Sequence, residues 1–294
     1  MEDAENKQEQ LDKVIELVES SELASIKGTI TGIVEIINNP RSNAKDLKEV
    51  IQVDPPLTAK VLRVANSAFY ASPRKINEID QAVIWIGFDM LKEIALSQKV
   101  CEIFKGEELN GSYSRGLLWK HSLAVALLAK MIYRREFGER GENAYAAGLM
   151  HDIGIIVEDQ FYKPEFTEII SASEDSEVIL SEKENEMFGY NHADLGQVLT
   201  SHWSLPADLV AAIGHHHNPQ GVALDYAKLS KTLYIADCLT HEYDIGFSGT
   251  VHYDEVNFRR YADNLELKSH ALKSLVTSIS DELKKMEDKG FFEV

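Results

Sequence analysis

With 294 residues, 44% of them hydrophobic, the chain is long enough to bury one large or two moderate cores. Its 48 acidic against 30 basic residues leave a formal net charge of −18, a field that repels phosphate backbones and argues against general nucleic-acid binding. The acidic, polar N-terminus is unlike a secretory signal, no apolar run reaches the roughly 20 residues of a membrane span, and Cys101 and Cys238 fit reduced buried thiols, so a soluble cytoplasmic protein is expected.

Residues Met1 to about Lys7 are polar and expected to fray. Leu11, Val14, Ile15, Leu17 and Val18 then follow helical spacing up to a break at Ser20-Ser21. A second helix is predicted over Ile26–Ile37, stopped by Asn38-Asn39-Pro40. Ser42 or Asn43 caps a third, whose inner face is Leu47, Val50 and Ile51. Asp54 caps a longer helix, with Pro55 suited to its first turn and Leu57, Val61, Leu62, Val64 and Ala65 as its buried stripe. It ends near Asn66-Ser67, a loop follows to Pro73, and two more helices are predicted between Ile79 and Phe104, divided at Gly87.

The polar segment from Lys105 to Arg115 is a candidate boundary. Beyond it come a helix from Leu117 to Ile132 carrying His121, a charged connector from Tyr133 to Asn143, and one helix from about Ala144 to Gln160 carrying His151-Asp152. A short helix opens at Pro164, and an acidic one spans Ser176–Phe188. Asn191 begins another that runs to Trp203, and Pro206 begins one that ends at His215-His216-His217. Tyr226 to Thr240 carries Asp237, and Leu272, Leu275, Val276, Ile279, Leu283 and Met286 line one face of an amphipathic tail from Asn264. No sustained period-two alternation appears, so the fold class expected is all-α.

His151 and Asp152 stand in an otherwise apolar run, from Ala146 to Val157. A carboxylate buried among such neighbours is costly unless it is paired or bound to a metal. Asp237 is set in a similar apolar stretch, between Leu233 and Leu239. One histidine on a helix is more often a hydrogen-bonded core residue than a ligand, and a triple histidine can be a solvated helix end. Two buried aspartates together with His121, His151, His192, His216 and His217 favour a metal site instead. Imidazole with carboxylate suits Fe, Mn, Co, Ni or Zn, and a carboxylate beside a histidine can bridge two ions, as in two-metal phosphoester hydrolysis.

The order His121, His151-Asp152, Asp237 resembles the H…HD…D signature of the HD phosphohydrolase superfamily. His192 and His216-His217 are similar to the extra ligands of its HD-GYP branch, which hydrolyses cyclic di-GMP. Three positions depart from that branch: Asn218-Pro219-Gln220-Gly221 is followed by no Gly-Tyr-Pro, Ile155 stands where a lysine is the rule, and Leu117 stands where an acid precedes His121 by a turn. The string Asp54-Pro55-Pro56-Leu57-Thr58-Ala59-Lys60-Val61-Leu62-Arg63-Val64-Ala65-Asn66-Ser67-Ala68-Phe69, continued by Ala82-Val83-Ile84-Trp85-Ile86-Gly87, resembles the HDOD (HD-related output domain) family. The similarity runs from about Leu23 to Thr240.

That resemblance implies a two-lobed helical bacterial signalling module with a C-terminal HD-like bundle. The divisions expected are 1–22 (extension), 23–108 (N-terminal helical part), 109–245 (HD-like metal-binding part) and 246–294 (C-terminal extension). Many HDOD proteins lack the HD ligands, whereas this chain keeps them. The function expected is a regulatory output module with a retained, dinuclear HD-type site, acting through a signalling protein partner. The alternative is a metal-dependent phosphohydrolase acting on a nucleotide or cyclic dinucleotide. The expected ligands are His121, His151, Asp152, His192, His216, His217 and Asp237, with Asp152 as the bridge and His217 as a further ligand or a group beside a substrate; these two are the candidate catalytic residues. The expected cofactor is two divalent ions, Fe or Mn, with Zn, Co and Ni also compatible. In the N-terminal part, Asp54 and Asn66 are expected to cap helices, and Arg63, Arg74 and Lys75 to be solvated.

Overall fold

The computed structural model describes residues 2–105, 113–173, 179–247 and 254–288. Among these every regular element is an α-helix, as expected. The first six are α1 (Glu2–Glu19), α2 (Leu23–Asn38), α3 (Ala44–Gln52), α4 (Pro55–Ala65), α5 (Ile79–Ile86) and α6 (Phe88–Val100). Then come α7 (Arg115–Glu136), α8 (Glu142–Met150), α9 (Ile153–Phe161), α10 (Lys163–Ser173), α11 (Leu180–Phe188), α12 (His192–His202), α13 (Ala207–Gly214) and α14 (Leu224–Glu242). The C-terminal pair is α15 (Glu255–Asn264) and α16 (Ser269–Asp288). No helix is long and apolar enough to cross a membrane among the described residues.

Several helix starts follow from local chemistry. Asn43 and Asp46 form a capping box for α3, and Asn191 and Asp194 form one for α12. Asp54 caps α4 by accepting from Leu57 N at 3.0 Å, and its other oxygen accepts from Lys99 Nζ at 2.6 Å. Lys99 also reaches Glu102, which accepts from Lys60 at 2.6 Å, so a mostly buried ionic chain ties α4 to the end of α6. Asn66 closes α4 and pins the following loop through reciprocal bonds with Ile76, at 2.7 and 2.8 Å. Arg63, Arg74 and Lys75 are exposed, as expected. Cys101 and Cys238 are free and buried, and burial pushes the Cys101 thiol up to about 11.

Helices α2 to α6 pack into one lobe and α7 to α14 into a second, with α2 and α6 resting on α8. One continuous hydrophobic core joins them, from Leu11 to Met286. The amphipathic α16 lays Leu272, Leu275, Val276, Ile279, Leu283 and Met286 inward and packs on α7.

Some expectations need correction. The first helix begins at Glu2, within the polar stretch expected to fray. α7 continues to Glu136, which shortens the charged connector before α8. The helix expected over Ala144–Gln160 is two helices, broken at His151-Asp152, where Asp152 has φ −97° and ψ 17°. α15 was not anticipated, because only Phe258, Tyr261 and Ala262 on it are buried and its apolar pattern is sparse. The expected start at Ser176 and the boundary at 108/109 lie outside the described residues.

Candidate metal centre

The histidines and aspartates come from five regions of the second lobe, and close backbone approaches bring them together. At Gly148 a side chain would overlap the α7 backbone at Ala126, so only glycine allows α8 to lie against the helix carrying His121. At Gly154 a Cβ would overlap the His192 carbonyl, which is how the start of α9 meets the start of α12. The helix break between them turns the His151 and Asp152 side chains into one interior space. α14 packs on α7 and α13, adding Asp237.

All seven residues expected as ligands meet there. His121, His151, His192 and His216 are fully buried, and Asp152 and Asp237 are 1% and 2% exposed. The His217 side chain, at 22%, is the one that reaches solvent. Asp152 lies at the middle. Its Oδ2 is 3.2 Å from His151 Nε2 and 3.6 Å from His121 Nε2. Its Oδ1 is 3.5 Å from His216 Nε2 and 3.6 Å from His192 Nε2. Asp237 Oδ1 lies 3.1 Å from His121 Nε2 and 3.8 Å from His151 Nε2, and Asp237 Oδ2 lies 3.9 Å from His217 Nδ1.

The outer partners settle which nitrogen of each ring faces inward. His151 Nδ1 donates to Gly148 O at 2.9 Å, and His216 Nδ1 donates to Ile213 O at 2.6 Å. His192 Nδ1 lies 2.6 Å from Glu184 Oε2. Thr240 gives its hydroxyl hydrogen to Asp237 O, which leaves Oγ1 to accept from His121 Nδ1 at 3.4 Å. Each Nε2 therefore faces into the same space, the arrangement in which outer hydrogen bonds orient metal-binding imidazoles.

That space holds more acceptors than donors. His216 Nε2 and both oxygens of Asp152 are buried without a hydrogen-bond partner. His121 Nε2 and His151 Nε2 approach to 3.2 Å, and His192 Nε2 and His217 Nε2 to 2.7 Å. Lone pairs so placed need a cation among them, a proton or a metal ion. Ligand atoms about 2.1 Å from a shared ion stand about 3.0–3.4 Å apart, close to most of the separations here. Four groups of three such residues have donor atoms within 4.8 Å of one another: His192, His216 and His217; His121, His151 and Asp152; His151, His216 and Asp237; His121, Asp237 and His241. The donor set fits divalent transition metal.

Burial works against charge on Asp152, yet the imidazoles of His151, His192 and His121 hold it well below the usual carboxylate range. Burial lowers His151, but Asp152 and Asp237 more than reverse this and raise it to about 10. Burial and a charged His151 push His216 down to about 3. Burial, reinforced by His216, likewise depresses His217.

Three participants were not anticipated. His241 lies one turn beyond Asp237 on α14, with its Nε2 3.4 Å from Asp237 Oδ1; its i,i+4 spacing was the available signal. Glu184 on the acidic α11 is fully buried behind His192, four residues after the buried Leu180. Glu158 on α9 is also fully buried, and burial together with the neighbouring Glu184 carboxylate raises its pKa well above the ordinary value. Ile155, at the position of the HD-GYP lysine, is fully buried, and Leu117 is 41% exposed.

Residues 23–219 match the HDOD domain family. The chain belongs to that family. A crystal structure of an HDOD domain protein of unknown function from Geobacter sulfurreducens is 26% identical with a TM-score of 0.78, covering 96% of this chain and 98% of that one. A candidate phosphohydrolase from Shewanella amazonensis SB2B is 25% identical with a TM-score of 0.65, over 90% and 91% of the two chains. An uncharacterized Treponema pallidum protein is 21% identical over 218 residues, 74% of this chain; the chain spans 42% of that relative's length. Asp237 and His241 lie beyond the HDOD match, which ends at residue 219.

Proposed function

We propose that this chain is a bacterial signal-transduction output module of the HDOD type, cytoplasmic, with two divalent transition-metal ions in its second lobe bridged by Asp152. His121, His151, Asp152 and Asp237 would hold one ion, and His192, His216, His217 and the other side of Asp152 the second. The observation that carries this is the pair His216 Nε2 and Asp152 Oδ1, two buried acceptors 3.5 Å apart, neither with a hydrogen-bond partner. Fe or Mn suits the mixed imidazole and carboxylate donors best, with Zn, Co and Ni compatible. The divisions 1–22, 23–108, 109–245 and 246–294 serve as working boundaries for variants.

A regulatory role through a signalling protein partner is favoured by the apolar Ile155, which offers no cation for a phosphate. Metal removal then changes stability and partner binding, with no phosphoester turned over. The test is a nucleotide and cyclic-dinucleotide hydrolysis panel on metal-loaded protein. Metal-dependent turnover that disappears in Asp152→Ala contradicts the regulatory reading.

The second reading, a phosphohydrolase acting on a nucleotide or cyclic dinucleotide, is favoured by the intact donor set and by His217 at the rim. Bound ions would supply Lewis acidity toward a phosphoryl oxygen. Asp152 would fix their separation, and His217, the donor open to solvent, would meet the substrate.

A further inference from the structure

His241 belongs neither to the HD ligand order nor to the HDOD match, yet it faces the centre. Its side chain is 7% exposed. Asp237 Oδ1 is buried with no hydrogen-bond partner, and three imidazole nitrogens converge on it: His121 Nε2 at 3.1 Å, His241 Nε2 at 3.4 Å and His151 Nε2 at 3.8 Å. The His121 and His241 rings lie 4.7 Å apart, tilted by 47°. One turn of α14 therefore presents a carboxylate at 237, the outer partner of His121 at 240, and an imidazole at 241.

We propose that His241 is a metal ligand, a further protein donor on the ion held by His121, His151, Asp152 and Asp237, and that it makes the two ions unequal. This rests on the two-ion reading above. With His241 included, that ion would have three imidazoles and two carboxylates from the protein, none of their side chains more than 7% exposed. The other ion would have three imidazoles and Asp152, and one of those histidines, His217, reaches solvent. Closed shells of protein donors are the mark of structural sites, and catalytic or exchangeable sites keep a position open. The His241 side is the permanent ion; the His217 side exchanges with solvent and is where a small anionic ligand gains access.

The test is the time course of metal loss from the full chain in excess chelator, read as ions retained per chain by elemental analysis after rapid desalting. Wild type is expected to lose its ions in two phases, and His241→Gln to speed the slow phase about tenfold or more, the scale on which even outer-partner losses act. His241→Asp, which restores a donor, is expected to recover most of the slow phase, while a thermal melt of the metal-free forms shows that all three fold. A slow phase within twofold of wild type in His241→Gln, or an identical effect of Gln and Asp, overturns the role of His241. A wild type that retains no transition metal overturns the two-ion reading beneath it, a different result from either.

Discussion

Glu184 Oε2 accepts twice from His192, from the backbone N–H at 2.9 Å and from ring Nδ1 at 2.6 Å, with all three groups buried. The carboxylate thereby fixes both where α12 begins and which way its first side chain faces. Glu184→Ala removes both bonds, and metal affinity is expected to fall about 10–100-fold. Competition against a chromogenic chelator measures it. Burial beside Glu184 disfavours charge on Glu158, so Glu158→Gln, a neutral side chain of the same size, is expected to leave affinity close to wild type, whereas a large loss in that variant would show that Glu158 carries charge.

Gly154 sits where α9 touches the His192 carbonyl. Gly154→Ala forces those backbones apart, with an expected loss of about 1–3 kcal/mol of stability. Urea unfolding gives that figure, and elemental analysis of the same protein is expected to show reduced metal, because His192 moves with its backbone.

Asp54 caps α4 and holds the Lys99 ammonium. Partial burial opposes its charge, but Lys99 and the Leu57 amide outweigh this and lower its pKa. A depressed folded pKa gives stability that is present above the unfolded carboxylate value, about 3.9, and lost as pH falls through the folded value beneath it. Asp54→Asn is expected to cost about 1–3 kcal/mol at neutral pH, from a weakened cap and an unpaired Lys99. Urea melts from pH 7 to pH 3 should show a constant difference from wild type down to about pH 4, then a shrinking one. A difference that grows in acid would reverse the sign.

The helices were legible wherever an apolar stripe and a cap coincided, as at Asn43, Asp54 and Asn191. The seven candidate ligands were legible because charged and imidazole groups stood in apolar runs, and because their order resembles a known one. The break at His151-Asp152 was not legible. The residues from Ala144 to Val157 are buried nearly all round, so no polar face marks where one helix stops. Glu184 was hidden by its neighbours: Glu182 and Glu186 face outward on the same helix, and only the i,i+4 relation to Leu180 separates Glu184 from them. His241 was hidden because the family order ends at Asp237.

The most direct measurement is the metal content of the full chain purified without chelators, beside Asp152→Ala. Both Asp152 oxygens face imidazoles from separate pairs of helices, so losing this side chain removes a donor from each ion at once. The predicted result is close to two divalent transition-metal ions per chain in wild type and well under one in the variant. Clearly substoichiometric metal in wild type, or the same content in both proteins, would contradict a centre built on Asp152.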